Sequence, residues 1–261
     1  MCLIIFAHQA DARFPLVVAA NRDELYFRPT EHAHFWQDPA LSGALLAGKD
    51  LQAGGTWLGM TSTGRFAAVT NIRDPSQTEP RPRSRGELTR NFLLGSSSPQ
   101  DYCAALAARY DEYAGYNLLV GDRSALCYVN NQARVVQTLA PGIYGLSNGL
   151  LNANWPKITK GRARLQALLQ NPGTPDTDKL LAMMLDSEPA PDAELPDTGV
   201  ARELERVLSS AFIRNTARHY GTLCSTAIIA DAEGDCRFSE QNYDESGQPS
   251  AAHLFHFALT T

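Results

Sequence analysis

The chain is short of positive charge. Its 23 Lys and Arg stand against 28 Asp and Glu, which leaves a net charge of -5 and a pI near 5.7. That balance gives no general attraction for nucleic acid or an anionic membrane, both of which favour basic surfaces. Long apolar runs are also missing. Stretches such as 16–20 and 227–230 fall far below the roughly 20 residues needed to cross a bilayer, so no transmembrane segment is expected. The opening residues have no basic n-region, and His8, Asp11 and Arg13 cut the apolar stretch short, so a cytoplasmic address is expected rather than secretion. Paired cysteines are absent as well. Cys2, Cys103, Cys127, Cys224 and Cys236 are odd in number, widely spread and contain no Cys-x-x-Cys. This argues against a disulfide framework, a zinc ribbon and covalent haem attachment, and no Cys-Pro haem motif occurs; reduced thiols are expected. Small-molecule partners remain, and nothing here fixes an oligomeric state.

What is present suits a folded core, with 44% hydrophobic residues over 261 positions. Short β-type runs at 2–7, 15–21, 56–60, 66–71, 116–121, 126–130 and 143–147 alternate with turn residues. Helical stretches at 86–94 and 99–110 interrupt them, the second opened by Ser97-Ser98-Pro99. The segment 155–169 reads as an amphipathic helix, with Ile158, Leu165, Leu168 and Leu169 on one side against Lys157, Lys160 and Arg164. Helices at 178–185 and 200–208 follow, then strands at 223–230, 236–239 and 253–259. The Pro/Asp/Glu-rich stretch 187–199 is an exposed loop rather than a linker, because the three strands beyond it complete earlier sheets more readily than they form a core of their own. The expectation is one domain over 1–261, of α+β class, with two antiparallel sheets.

Cys2 is the most informative residue. Its small side chain permits removal of Met1, after which one residue carries both a thiol and a free α-amine. An amine with a reference pKa of about 7.7 to 8 can take the thiol proton near neutral pH, so nucleophile and base sit together. The alternative is a small buried hydrophobe opening a strand. Asn21-Arg22-Asp23-Glu24 follows the apolar run 16–20. If 2–7 and 15–21 pair as a hairpin, Cys2 returns beside these residues. Arg22 would then lower the thiol pKa or hold an anionic group, and Asp23 would orient the α-ammonium; otherwise the segment is a turn with surface charges.

These residues, with Gly54-Gly55-Thr56-Trp57-Leu58-Gly59, Thr70-Asn71, Ser84-Arg85-Gly86-Glu87, Gly115-Tyr116-Asn117-Leu118, Gly145-Leu146-Ser147-Asn148, Trp155-Pro156-Lys157 and Tyr220-Gly221-Thr222, resemble the NRDE-domain family, also called the Transport and Golgi organisation protein 2 family. The resemblance implies a four-layer αββα sandwich like that of the N-terminal nucleophile hydrolases. It makes Cys2 the nucleophile and Asp23 the orienting carboxylate. Asn71 and Asn148 each end a β-type run, where an amide can donate to an oxyanion or simply terminate a strand. Arg22, Trp57, Arg85 and Leu223 are the expected ligand contacts. Members have been linked to lipid homeostasis and to movement of haem from its stores. Two readings follow: a hydrolase of an amide or thioester with an apolar acyl group, or a non-catalytic carrier of haem or acyl-CoA. Neither requires a cofactor, haem entering as cargo. Arg22 and Asp23 are adjacent here but three apart in the related acylases, so on an extended chain they face opposite ways. Relatives often carry Arg after Tyr-Gly-Thr, where this chain has Leu223.

Other signals are weaker. The segment 43–49 has the spacing of a phosphate loop, but Asp50 replaces the required Ser/Thr. Arg81, Arg83 and Arg85 either clamp an anion or decorate a solvated loop. His32 and His34 lack a third ligand, and His253 and His256 point to opposite strand faces, so no metal site is expected.

Overall fold

The computed structural model describes residues 2–37, 43–79, 81–173 and 175–260. Its strands are β1 (Cys2–Asp11), β2 (Phe14–Leu25), β3 (Thr30–Trp36), β4 (Leu45–Asp50), β5 (Leu58–Thr61), β6 (Phe66–Asn71), β7 (Tyr116–Gly121), β8 (Leu126–Asn130), β9 (Val135–Thr138), β10 (Gly142–Leu146), β11 (Arg214–Asn215), β12 (Tyr220–Ala230), β13 (Asp235–Tyr243) and β14 (Pro249–Ala258). The α-helices are α1 (Gly86–Leu94), α2 (Pro99–Leu106), α3 (Pro156–Leu169), α4 (Thr177–Met183) and α5 (Arg202–Val207). The chain divides into two compact units, one built from Met1–Phe27, Arg73–Pro75 and Pro141–His256, the other from Arg28–Ile72, Ser76–Ala140 and Phe257–Thr261.

In the first unit, the strand order is β10-β1-β2-β12-β13-β14, with β11 beside β12. β1 and β2 form the expected hairpin. Its turn is Ala12-Arg13, closed where Asp11 Oδ1 accepts from the Arg13 N–H at 2.9 Å. Pairing runs antiparallel from Asp11 opposite Phe14 to Cys2 opposite Arg22, with a bulge between His8 and Asp11, and pairing with β12 carries β2 on to Leu25, so both strands exceed their expected limits. Side chains alternate across a strand, so Leu3, Ile5 and Ala7 share one face, packed with Ile158, Leu165 and Leu169 of α3 and Leu180 and Met183 of α4.

The second unit holds the sheet β3-β4-β5-β6-β7-β8-β9. Leu88, Phe92 and Leu93 of α1 and Cys103 and Leu106 of α2 pack on Ala67, Val69, Leu118, Val120 and Val129 of its strands. Ser98 caps α2 as expected, its hydroxyl accepting from the Asp101 N–H at 3.1 Å, with Pro99 in the first turn. The helix stops at Leu106, and a 3-10 turn over Ala107–Glu112 replaces the rest of the expected 99–110 helix. The segment 43–49 falls largely on β4, so no phosphate cradle forms. His32 and His34 lie on β3, where His34 Nδ1 contacts the His32 carbonyl at 2.8 Å. His256 meets Asp235 at 2.6 Å. Among the described residues, no group of three or more His, Cys, Asp or Glu is arranged to hold a metal. All five cysteines are buried and unbridged. No described helix is long and apolar enough to cross a membrane.

One expectation for α3 is overturned. Lys160 and Arg164 are exposed as its polar face requires, but Lys157 is buried in the first turn, only 5% accessible.

Candidate active site around Cys2

Antiparallel register builds the site in the first unit. Cys2 lies opposite Arg22 on β2, and Arg22 lies opposite Cys224 on β12, so two thiols flank one guanidinium-bearing position along a row. Leu223 is the extra residue of a bulge between Thr222 and Cys224, and it is half-buried. The bulge lets Thr222 pair with Asp23 while Cys224 pairs with Arg22. Adjacent residues on a strand face opposite ways, so Arg22 shares the row of Cys2 while Asp23 shares the face of Asn21. Asn21 is structural: its amide donates to the Met184 and Ala211 carbonyls at 2.9 Å each and its oxygen accepts from Ser225.

Asp23 is buried. Its Oδ1 accepts from Thr222 Oγ1 at 2.8 Å, and its backbone carbonyl accepts from Tyr220 Oη at 3.1 Å. Burial raises its pKa above the ordinary carboxylate value, against the opposing charge of Lys157. Lys157 Nζ donates to the Leu208 carbonyl at 2.9 Å. Burial pulls its pKa down to about 8, while Asp23 holds it up.

The Cys2 thiol is pushed up to about 11, first by burial and further by the charge of Asp23; Arg22 and a hydrogen bond from the Asp23 backbone act downward. Arg22 therefore works in the expected direction, but desolvation outweighs it. The thiol rests protonated. Met1, whose removal would free the amine, lies outside the described residues.

β10 pairs with β1 as far as Ile4 opposite Leu146, which brings the next two residues alongside the start of β1. Ser147 Oγ donates to the Cys2 carbonyl at 2.9 Å and lies 3.2 Å from Asn148 Oδ1. Asn148 is buried, and its carbonyl accepts from the Arg73 N–H at 2.8 Å. The first unit thus gathers Cys2, Arg22, Asp23, Asn148 and Leu223. Asn71, Trp57 and Arg85 belong to the second unit. Asn71 ends β6 opposite Tyr116 and is half-buried. Trp57 packs at the margin of that unit's core, and Arg85 donates to the Gly115 carbonyl at 3.3 Å. The neighbouring arginines are engaged as well: Arg83 pairs with Glu87 and Glu112, and Arg81 reaches the Asp111 carbonyl.

Three charged groups in the cluster escaped the sequence reading. Lys157 belongs to Trp155-Pro156-Lys157 but was assigned to a solvated helix face. Arg73 and Glu205 form a buried ion pair, with the Arg73 guanidinium 4.9 Å from the centre of the Trp155 ring. They are 132 positions apart, and no local pattern joins them.

Two solved structures share the fold at 10–11% identity. One is an N-acylethanolamine-hydrolyzing acid amidase orthologue from Caenorhabditis elegans, with TM-score 0.52 over 87% of this chain and 92% of that one. The other is a variant of conjugated bile acid hydrolase from Clostridium perfringens, with TM-score 0.53 over 99% and 98%. The architecture is thus the α+β class with two antiparallel sheets and flanking helices that the sequence implied. A Transport and Golgi organization protein 2 homologue of Bos taurus is 35% identical over 93% of both chains, and the Mus musculus homologue is 32% identical over 99%. The Transport and Golgi organisation 2 model matches residues 1–245, a span running from β1 through β13 and including every residue gathered around Cys2, and the chain belongs to that family.

Proposed function

We propose that this protein is a thiol hydrolase that cleaves an amide or thioester bearing an apolar acyl group, with Cys2 as nucleophile once Met1 is removed. The observation that carries this reading is the placement of Cys2 at the sheet terminus, its carbonyl held by Ser147 and its thiol between Arg22 and the Asp23 backbone. Trimming moves an α-ammonium onto Cys2, where its charge lowers the thiol pKa, and the buried Asp23 carboxylate is the orienting group for that amine. The neutral amine accepts the thiol proton as sulfur attacks the acyl carbon. The developing oxyanion takes a hydrogen bond from Asn148; one well-placed donor contributes about 3 kcal/mol. The ammonium returns its proton to the departing amine or thiol, leaving an acyl-cysteine. Water, deprotonated by the same amine, then releases the acid. The two fold neighbours are named as hydrolases, which supports the reaction class.

A second reading is supported by Leu223. An apolar side chain at the β12 bulge, where relatives often carry Arg, favours the greasy part of a ligand and suits a carrier of haem or acyl-CoA. Intact mass spectrometry and turnover of acyl-amide and acyl-thioester probes separate the two. The hydrolase reading requires an unblocked Cys2 and loss of turnover by about 1,000-fold or more in Cys2→Ala, with the fold retained. Retained Met1, or equal turnover in Cys2→Ala, overturns it. Saturable haem or acyl-CoA binding without turnover establishes the carrier.

A further inference from the structure

Arg73 is buried in the first unit at 5% side-chain exposure, beside Glu205 at 1%. Its Nη1 donates to Glu205 Oε2. Glu205 is fixed from its other side, where Oε1 accepts from the Thr198 N–H at 2.9 Å and from Thr198 Oγ1 at 2.5 Å. Trp155 supports the guanidinium face, and the Arg73 backbone is tied to Asn148, next to the residue that holds Cys2. The head group is therefore held by Glu205 and the Trp155 ring, and the Arg73 backbone by Asn148.

The two remaining nitrogens, Nε and Nη2, are buried and meet no acceptor among the described residues. They lie on one edge of the planar guanidinium. That edge presents parallel N–H groups at the spacing of two oxygens of one carboxylate or phosphate. Buried donors are satisfied in nearly all folded proteins, so two of them on one preorganised edge point to a partner that arrives from outside the chain. Lys157 is a second cation within electrostatic reach of Arg73, facing the carboxylates of Asp23 and Glu205.

We infer that the Nε/Nη2 edge of Arg73 grips the anionic head, carboxylate or phosphate, of an acyl ligand lying at Cys2. Glu205 is the positioning residue that aims it. The location of the acyl part rests on the hydrolase reading; the anion grip does not.

Calorimetry on Cys2→Ala protein, which binds without turnover, tests this with dodecanoylglycine, dodecyl phosphate and neutral dodecanoylethanolamide. At least one anionic ligand should bind about tenfold or more tighter than the neutral one, and the tighter of the two identifies the head group. Arg73→Lys keeps a cation for Glu205 but loses the fork, and should shrink the preference to about threefold or less. Should Arg73→Lys misfold, the Arg73 Nε–H resonance of the otherwise unaltered protein is the readout, shifting with an anionic ligand and not with the neutral one. Equal binding of all three ligands, a preference that survives Arg73→Lys, or an unmoved Nε–H overturns the inference. Cys2-dependent turnover without anion preference would remove only the Arg73 grip, whereas anion preference without turnover would remove only the hydrolase.

Discussion

At the scale of single residues, burial and the Asp23 charge keep the proton on the Cys2 sulfur, while Arg22 and the Asp23 backbone act to release it. With the thiol pushed up to about 11, a chain carrying an N-terminal extension should react with iodoacetamide at pH 7.5 roughly 100-fold or more slowly than a free thiol of pKa about 8.5, because its thiolate fraction falls by that order. The trimmed form should react faster than the extended form. Equal rates would show that the α-amine does not activate the sulfur. The sequence disclosed this residue and its neighbours because hairpin pairing is local: nineteen to twenty-one positions separate Cys2 from Asn21, Arg22 and Asp23, and antiparallel register closes that gap. It did not disclose Lys157, whose spacing on α3 matches the exposed Lys160 and Arg164. What decides its burial is contact with Leu208 and the field of Asp23, both distant along the chain.

At the scale of elements, the runs read most accurately are those with an uninterrupted pattern. β6, β7, β8 and α1 match their expected limits to the residue, since continuous apolar runs or a compact helical period mark both ends. β3, β4, β9 and the two-residue β11 have no counterpart in the sequence pattern. β9 is an edge strand with all four residues exposed, β3 carries exposed Glu31 and His32, and the Gly48-Lys49 pair makes β4 look like a loop. Such strands exist through ladder bonds to a neighbour, which pattern alone does not record. Packing also reverses a rule of helix propensity in α3. Replacing a helical Gly by Ala ordinarily gains up to about 1 kcal/mol. At Gly161, however, a new Cβ would lie 2.7 Å from both Cγ1 and Cδ1 of Ile5 on β1. Overpacking of about 1–3 kcal/mol outweighs the propensity, so Gly161→Ala should lower the denaturation midpoint. Ile5→Val removes Cδ1 and should recover part of the loss in the double variant. An unchanged or higher midpoint for Gly161→Ala would refute this packing argument.

At the scale of the whole molecule, the chain passes between its two units at 27/28, 72/73, 75/76, 140/141 and 256/257. The Pro/Asp/Glu-rich segment 187–199 holds none of these crossings and lies wholly inside the first unit. Stability then links the global fold back to the buried cluster through pH. The folded pKa of Lys157, about 8, lies below its ordinary 10.5. Between those values the unfolded chain binds a proton that the folded chain does not, so this group makes stability rise with pH. Below about pH 8 both states hold the proton and the full cost of a buried ammonium is present; above about 10.5 neither does and the cost is gone. The span corresponds to something on the order of 3 kcal/mol. The raised thiols of Cys2, Cys103 and Cys236 act oppositely above pH 9, because there the folded state retains protons that the unfolded state has lost. A raw stability curve mixes these slopes. The difference between the native chain and Lys157→Met cancels the contributions of Cys103 and Cys236 and leaves the lysine with its coupling to Cys2 and Asp23. Urea denaturation from pH 7 to 10.5 should show the native chain gaining on Lys157→Met as pH rises from about 8, by up to that magnitude. A flat difference across this range would mean that the folded and unfolded pKa values of Lys157 do not differ and that it is not held as a desolvated ammonium.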